Sequence, residues 1–169
     1  MTKPIRQIRV EGNIAFVPLT QGQEAIIDAA DVHLVDGWNW RAMVQEHAIY
    51  AVRGDYSGEK LKTALMHRLI MDAPDFMHVD HIDSNGIDNR RANMRLATRS
   101  QNMRNRGAAR HNKAGFKGVF WNNRCLKWHA QIGVNGKVIY LGLHETPEAA
   151  HAAYCEASAR LHGAFGRTE

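Results

Sequence analysis

The sequence predicts an α+β protein of small antiparallel sheets, and three observations predict it. Short runs rich in β-branched and aromatic residues, such as "AIYAVRG", "KGVFW" and "KVIYLG", are separated by turn residues and read as strands. Asn135-Gly136 joins two of these runs with a two-residue hairpin signal, because both positions of a type I′ turn need positive φ. Helix starts carry their own caps, Thr98 with Gln101 in one place and Thr146 followed by Pro147 in another. With 44% hydrophobic and 23% charged residues in a chain of 169, an ordered core is expected rather than disorder.

Four blocks follow in order. Residues 1–65 form a β-rich scaffold: "EAIIDAADVHLVDGW" reads as a strand and a short helix, with Asp28 as N-cap and Asp31 three positions later. After it, "WNWRAM", "AIYAVRG" and "EKLKTALM" read as strands divided by turns such as "YSGE". Residues 66–106 read as strand, loop, strand and helix: "MHVDH", the Asn- and Asp-rich "IDSNGIDNRRA", "NMRLAT", then a helix from about Arg99 to Arg106. A basic linker occupies 107–116. Residues 117–169 predict a three-stranded antiparallel sheet crossed by one helix, in which Ala149, Ala150, Ala153, Tyr154, Ala157 and Leu161 recur at helical spacing and Gly163 supplies the stop.

Composition also excludes classes of function. No run reaches the roughly 18 apolar residues of a membrane span, and "MTKPIRQIRVEGN" lacks the apolar core of a signal peptide, so no membrane partner and a cytoplasmic location are expected. Cys125 and Cys155 stand thirty residues apart and form neither a disulfide framework nor a CxxC pair, so no structural zinc is expected and any metal must be held by oxygen and imidazole. The net charge of +5 is unevenly spread: residues 67–84 carry 1 basic and 4 acidic groups, and residues 85–117 carry 9 and 1. A basic stripe after an acidic, His-containing one suggests a polyanion beside a metal site, against the plainer reading of a solvated helix face.

The stretch "VDHIDSNGIDNRRANMRLATRSQNMRN" carries the chemistry. Hydrolysing a phosphodiester needs a water, a base for its proton, and positive charge near the phosphate and the departing oxygen. A carboxylate with an amide oxygen suits Mg²⁺, which keeps several waters and accepts phosphate oxygens, so Asp80 is a candidate ligand. Neutral His81 is the candidate base, its tautomer set by a partner on the other ring nitrogen. His78 and Asp83 flank the pair and are assigned to structure, His67 to packing, and Arg90 and Arg91 to phosphate contact.

"HVDHIDSNGIDNRRANMRLATRSQNMRN" resembles the ββα-metal core of the HNH endonucleases, in the His-Asn-Asn variant of phage homing endonucleases. The resemblance implies that Asp80 and Asn102 ligate one divalent cation, Mg²⁺ or Mn²⁺, that His81 activates water, and that Asn93 holds His81 in orientation. Many members carry His where Asn102 stands, which weakens any expectation of a transition-metal preference. "FKGVFWNNRCLKWHAQIGVNGKVIYLGLHETPEAAHAAYCEASARLHG" resembles the DNA-binding domain of plant ethylene-response transcription factors, which implies that its sheet enters the major groove. Strand alternation then puts Val119, Trp121, Trp128, Ala130, Ile132, Val134, Ile139 and Leu141 beneath the helix, and Phe120, Asn122, His129, Gln131 and Tyr140 toward DNA. Plant members carry arginines on that face where Phe120, Gly133 and Val138 stand here, so Lys117, Arg124, Lys127 and Lys137 are expected to make mainly phosphate contacts, and Arg95, Arg99, Arg104 and Arg106 are expected to bind DNA. Two functional classes are compatible with these residues. One is a metal-dependent endonuclease on double-stranded DNA, working as a monomer or weak dimer in the host cytoplasm if phage-encoded. The other is an inactive DNA-binding protein that keeps the nuclease fold.

Overall fold

The computed structural model describes residues 4–46, 48–55, 62–109 and 112–168; the expected turn "YSGE" and residues 110–111 of the expected linker lie outside them. The chain divides into two compact units, Met1–Thr98 and Arg99–Glu169. Both are mixed α+β, as the strand and cap signals require.

The first unit opens with a meander of β1 (Arg9–Glu11), β2 (Ile14–Pro18) and β3 (Glu24–Asp28). The β1–β2 turn is Gly12-Asn13, and Gly12 takes φ 59°, a hairpin signal that the strand reading passed over. A 3-10 turn, Ala29–Asp31, leads to the short helix α1 (Val32–Val35). A second meander follows, β4 (Arg41–Val44), β5 (Ile49–Asp55) and β6 (Lys62–Leu65), and β6 runs directly into α2 (Met66–Ile70). The last pair is β7 (His78–His81) with β8 (Met94–Ala97), whose register sets Asp80 opposite Arg95 and His81 opposite Met94.

One hydrophobic cluster joins all of these pieces. Ala15, Val17 and Ile27 enter it from the first meander, Trp40 and Ala51 from around the second, and Met66 and Ile70 from α2; Val79 and Met94 complete it from β7 and β8. Trp40 is fully buried and donates its indole N–H to the carbonyl of Val35 at 2.9 Å, which satisfies the ring's one polar atom. The β-rich block of residues 1–65 and the β7–β8 hairpin therefore share a core.

The loop between β7 and β8 is tied to β3 by backbone. Ile26 N–H donates to the Ile87 carbonyl at 2.9 Å, and Asn89 N–H donates to the Ile26 carbonyl at 2.7 Å. Asp28, expected to cap a helix, makes no capping bond; its Oδ2 accepts from the backbone N–H of Arg91 at 2.8 Å. Asp31 is buried and takes the Arg91 guanidinium in a two-pronged pair, at 2.9 Å from Nε and 2.8 Å from Nη2. Gly86 lies so close to β5 that an added Cβ would collide with the Ile49 carbonyl and the Tyr50 ring, which accounts for glycine in "DSNGI".

The second unit begins with α3 (Arg99–Arg104), which ends two residues before the expected Arg106. Its sheet comprises β9 (Val119–Asn122), β10 (Lys127–Val134) and β11 (Lys137–His144), antiparallel in the order β11-β10-β9. Asn135 and Gly136 both take positive φ, 50° and 76°, as the type I′ hairpin demands. Helix α4 (Pro147–His162) starts with Thr146 accepting from the backbone N–H of Ala149 at 3.2 Å, and Gly163 stops it with φ 53°. Val119, Ala130 and Ile132 are buried beneath α4, with Trp128, Val134 and Leu141 partly so. Trp121 and Ile139, expected in this core, remain 45% and 39% exposed. A single helix, roughly 10 Å wide, covers the middle of a three-stranded sheet and leaves the outer strands open. Trp121 rests edge-on against Trp128 at 5.1 Å between ring centres.

Removing the Arg91 side chain would leave Asp31 buried and unpaired, so Arg91→Ala should cost about 3 kcal/mol in urea unfolding of the full chain. A change indistinguishable from zero would mean that the pair does not hold the loop.

Candidate active site

The site is built from the end of β7 and the loop that follows. Asp80 and His81 are the last two residues of the strand, and both are buried. Val79 points into the core, so alternation puts His81 on the core side and Asp80 on the other. Asp80 meets its cross-strand partner: Arg95 sets Nε and Nη2 each 2.7 Å from Asp80 Oδ2. The side chain expected on a DNA phosphate is thus a charge partner of the candidate metal ligand.

His81 has a polar partner and an aromatic setting. Its Nε2–H donates to Asn89 Oδ1 at 3.0 Å, and Asn89 is fully buried. In a neutral imidazole a proton on Nε2 leaves the lone pair on Nδ1, the tautomer a base would need. The rings of His67 and Tyr50 stand 5.2 Å and 6.1 Å from that of His81, His67 edge-on at 89°. Burial, with His81 and Arg68 nearby, pushes His67 down to about 3, so that ring stays neutral. Its Nδ1 is buried without a hydrogen-bond partner in the described residues. The packing role expected of His67 is the one it has.

Asn93 braces the loop. Its Nδ2 donates to Asp83 Oδ1 at 2.8 Å and to the Asp88 carbonyl at 3.0 Å, while its Oδ1 accepts from Asp83 N–H at 3.2 Å and its carbonyl from Ile82 N–H at 2.8 Å. The bond that orients the imidazole, expected of Asn93, comes from Asn89, four positions earlier in the same Asn-rich run. Both asparagines were visible in the sequence, but nothing local distinguishes the one facing the ring from the one spanning the loop. Asp83 serves structure, accepting also from Asn85 N–H at 2.8 Å, and His78 is exposed.

The basic stripe divides. Arg90 is held by Asp88, with Nε at 2.8 Å from Oδ1, and this pairing holds the Asp88 carboxyl below its ordinary range. Arg91 is held by Asp31 and Arg95 by Asp80, so in place of a free phosphate-binding row all three guanidiniums are paired with carboxylates of their own unit. For Arg91 the reason is long-range, since Asp31 lies sixty residues away in sequence, whereas Asp88 is two residues from Arg90.

In the second unit Asn102 stands half-buried on α3, and Arg99 and Arg106 are exposed. Arg104 donates to Asn135 Oδ1 at 3.2 Å, and its carbonyl accepts from Lys117 Nζ. Burial and the nearby Arg167 lower the Lys117 ammonium to about 8. Asn122 Oδ1 accepts from the backbone N–H groups of Arg124 and Cys125 at 3.0 Å and 3.2 Å, so Asn122 shapes the β9–β10 turn. Lys127 is tied to Glu145 at 2.6 Å. Phe120 and Tyr140 are exposed on the sheet, with Gln131 half-buried opposite Tyr140.

Among the described residues no three His, Cys, Asp or Glu side chains gather as a metal cage. The carboxylate of Asp80, the candidate ligand, is of the kind that suits a hard cation that keeps water and takes its remaining ligands from substrate.

Residues 65–104 match the HNH endonuclease family. That segment runs from the end of β6 through α2, β7, the loop and β8 to the end of α3, and contains Asp80, His81, Asn89, Asn93 and Asn102. The chain is also similar to Protein 3.8 of Escherichia phage T7, at 29% identity over 94 residues, covering 56% of this chain and 77% of that protein. No solved structure matches it. An HNH domain supports a nuclease with DNA as substrate, and no helix among the described residues is long and apolar enough to cross a membrane.

Two measurements probe this pocket. His67 takes up its proton near 6.5 when unfolded and near about 3 when folded. Its contribution to stability is therefore complete above pH 6.5 and is lost as pH falls toward 3. Between pH 7 and pH 4 the wild type should lose about 3 kcal/mol more unfolding free energy than His67→Phe; equal losses would show that His67 is not held neutral. Asn89→Leu should slow DNA cleavage about 10–100-fold with DNA affinity retained, because the base loses the group that fixes its tautomer. An unchanged rate would remove Asn89 from the site.

Proposed function

We propose that this protein is a divalent-metal-dependent endonuclease that hydrolyses phosphodiester bonds of double-stranded DNA. The observation that carries the reading is the buried His81–Asn89 bond inside the HNH-matching segment, which holds the ring by Nε2 and assigns Nδ1 to the attacking water. His81 Nδ1 takes the proton of the attacking water, Asn89 holds the ring, and neutral His67 walls one side without competing for the proton. Asp80 is the principal metal ligand. Asn102 enters the proposal as second ligand from its position in the sequence motif. A cation held there, Mg²⁺ or Mn²⁺, would supply positive charge to the phosphate and the departing oxygen.

The second unit is proposed to bind DNA. Residues 99–169 carry 11 basic and 4 acidic groups, a net +7, against 11 and 13, a net −2, in residues 1–98; together these give the +5 of the whole chain. Exposed Arg99, Arg106 and Arg124 suit sequence-independent phosphate contacts. Similarity to a phage protein supports a phage enzyme; we further propose a homing type acting in the host cytoplasm, and one site per chain suits nicking by a monomer or paired cuts by a weak dimer.

Supercoiled plasmid incubated with Mg²⁺ or Mn²⁺ should be nicked or linearised, and chelator should stop the reaction. His81→Ala should lower the rate by about 10²–10⁴-fold with DNA binding retained, and Asp80→Ala should abolish metal-dependent cleavage. DNA binding without cleavage by the wild type in either metal would replace this reading with a DNA-binding protein that keeps the nuclease fold.

A further inference from the structure

The outer face of the sheet in the second unit has an unusual composition for a surface expected to meet DNA. Burial of Val119, Ala130 and Ile132 fixes which positions face inward. The opposite set is Phe120 and Asn122 on β9, and Lys127, His129, Gln131 and Gly133 on β10. On β11 a register shift beside Ala130 and Gln131 brings Leu143 opposite His129, with Tyr140 opposite Gln131 and Val138 opposite Gly133. Tyr140 and Val138 are 58% and 65% exposed, and Phe120 stands across from His129 on the other side.

None of these outward positions is acidic, and the Glu145 carboxylate reaches the face at Lys127. Its only formal charge is Lys127, which is engaged by Glu145. The polar groups that remain are the Gln131 amide and the His129 ring, which is edge-on to Tyr140 at 5.0 Å and whose Nε2 is buried without a hydrogen-bond partner in the described residues. A cation borders the face, Arg124 in the β9–β10 turn, whereas Lys137 pairs with Val134 and so belongs to the helix side of the sheet.

Duplex DNA fits this combination: Arg124 can meet a phosphate beside the face, and an apolar sheet with no acidic residue at its outward positions suits the bases of the major groove. In that groove guanine is read mainly by Arg or Lys donating to O6 and N7, and the outward positions hold no arginine and one lysine, Lys127, which is ion-paired with Glu145. Thymine presents a methyl group, which apolar side chains contact, and adenine presents N6 and N7, which an amide matches with two bonds. Resting on the reading that the second unit binds duplex DNA, we propose that this face selects A·T base pairs, with Phe120, Tyr140, Val138 and Leu143 contacting thymine methyl groups and Gln131 pairing with adenine.

The test uses the full-length protein in chelator, so that binding is read without cleavage. A randomised duplex library is enriched on the protein, and affinities are measured by fluorescence anisotropy for the enriched duplex, the same duplex with deoxyuridine for thymidine, and a G·C duplex of equal length. The expected result is an A·T-rich core, affinity reduced about 10-fold or more by loss of the thymine methyls, and a similar loss for Gln131→Ala confined to one adenine position. Tyr140→Ala should weaken the thymidine duplex while leaving the deoxyuridine duplex nearly unchanged, a pattern that general misfolding would not produce. Equal affinity for the thymidine and deoxyuridine duplexes, a G·C-rich core, or tighter binding to single strands would overturn the inference while leaving DNA binding in place. No binding to any duplex would overturn the DNA-binding role of the unit itself.

Discussion

The docking of the β7–β8 loop onto β3 is the constraint on which the site depends. Ile26 accepts the amide of Asn89 and donates to Ile87, so the loop is held as if it were a short extra strand. The residue whose backbone is fixed in this way is also the one whose side chain holds His81. A few residues on, Arg91 is anchored twice, by its backbone to Asp28 and by its side chain to Asp31. A loop of that length would otherwise exchange among many conformations, and a general base needs its orienting partner within hydrogen-bond reach. The N-terminal meander is therefore part of the site's machinery in the sense that it positions Asn89, while the Tyr50 ring beside His81 comes from β5 of the second meander.

Charge is used differently in the two units. In the first, arginines near the candidate site are neutralised by carboxylates: Arg90 by Asp88, Arg91 by Asp31 and Arg95 by Asp80. These pairs involve buried acids, whose desolvation makes a missing partner costly, so they act as structural ties. In the second, 11 basic groups face only 4 acidic ones, which leaves the surplus that a polyanion would neutralise. A chain-averaged charge of +5 conceals this division.

Features whose cause is local were legible in the sequence. The Asn135-Gly136 hairpin, the Thr146-Pro147 helix start, the Gly163 stop and the β7 and β8 strands around the Asn-rich loop all stand where short windows of residues put them. Asp80 and His81 were legible as candidates because an acid and a histidine closing a strand before such a loop are unusual neighbours. What was not legible depends on distant partners. Arg91 looks like a phosphate ligand until Asp31 is folded against it, and Asp28 looks like a helix cap until the loop offers it an amide. Asn89 and Asn93 are chemically identical and differ only in which one the β3 docking turns toward the imidazole. Trp121 alternates as a core residue should, yet stays exposed because one helix cannot cover both outer strands.

The central claim is that the β3-side carboxylates and the loop act as one device that positions His81, the proposed base. A double-mutant cycle on Asp31 and Arg91, read as single-turnover cleavage of plasmid DNA in Mg²⁺ at a temperature where all variants are folded, tests it most directly. The account predicts that Asp31→Ala and Arg91→Ala each slow cleavage while leaving DNA affinity unchanged, and that the double variant is no slower than the worse of the two. Wild-type rates in both single variants, or losses that simply multiply in the double, would contradict it.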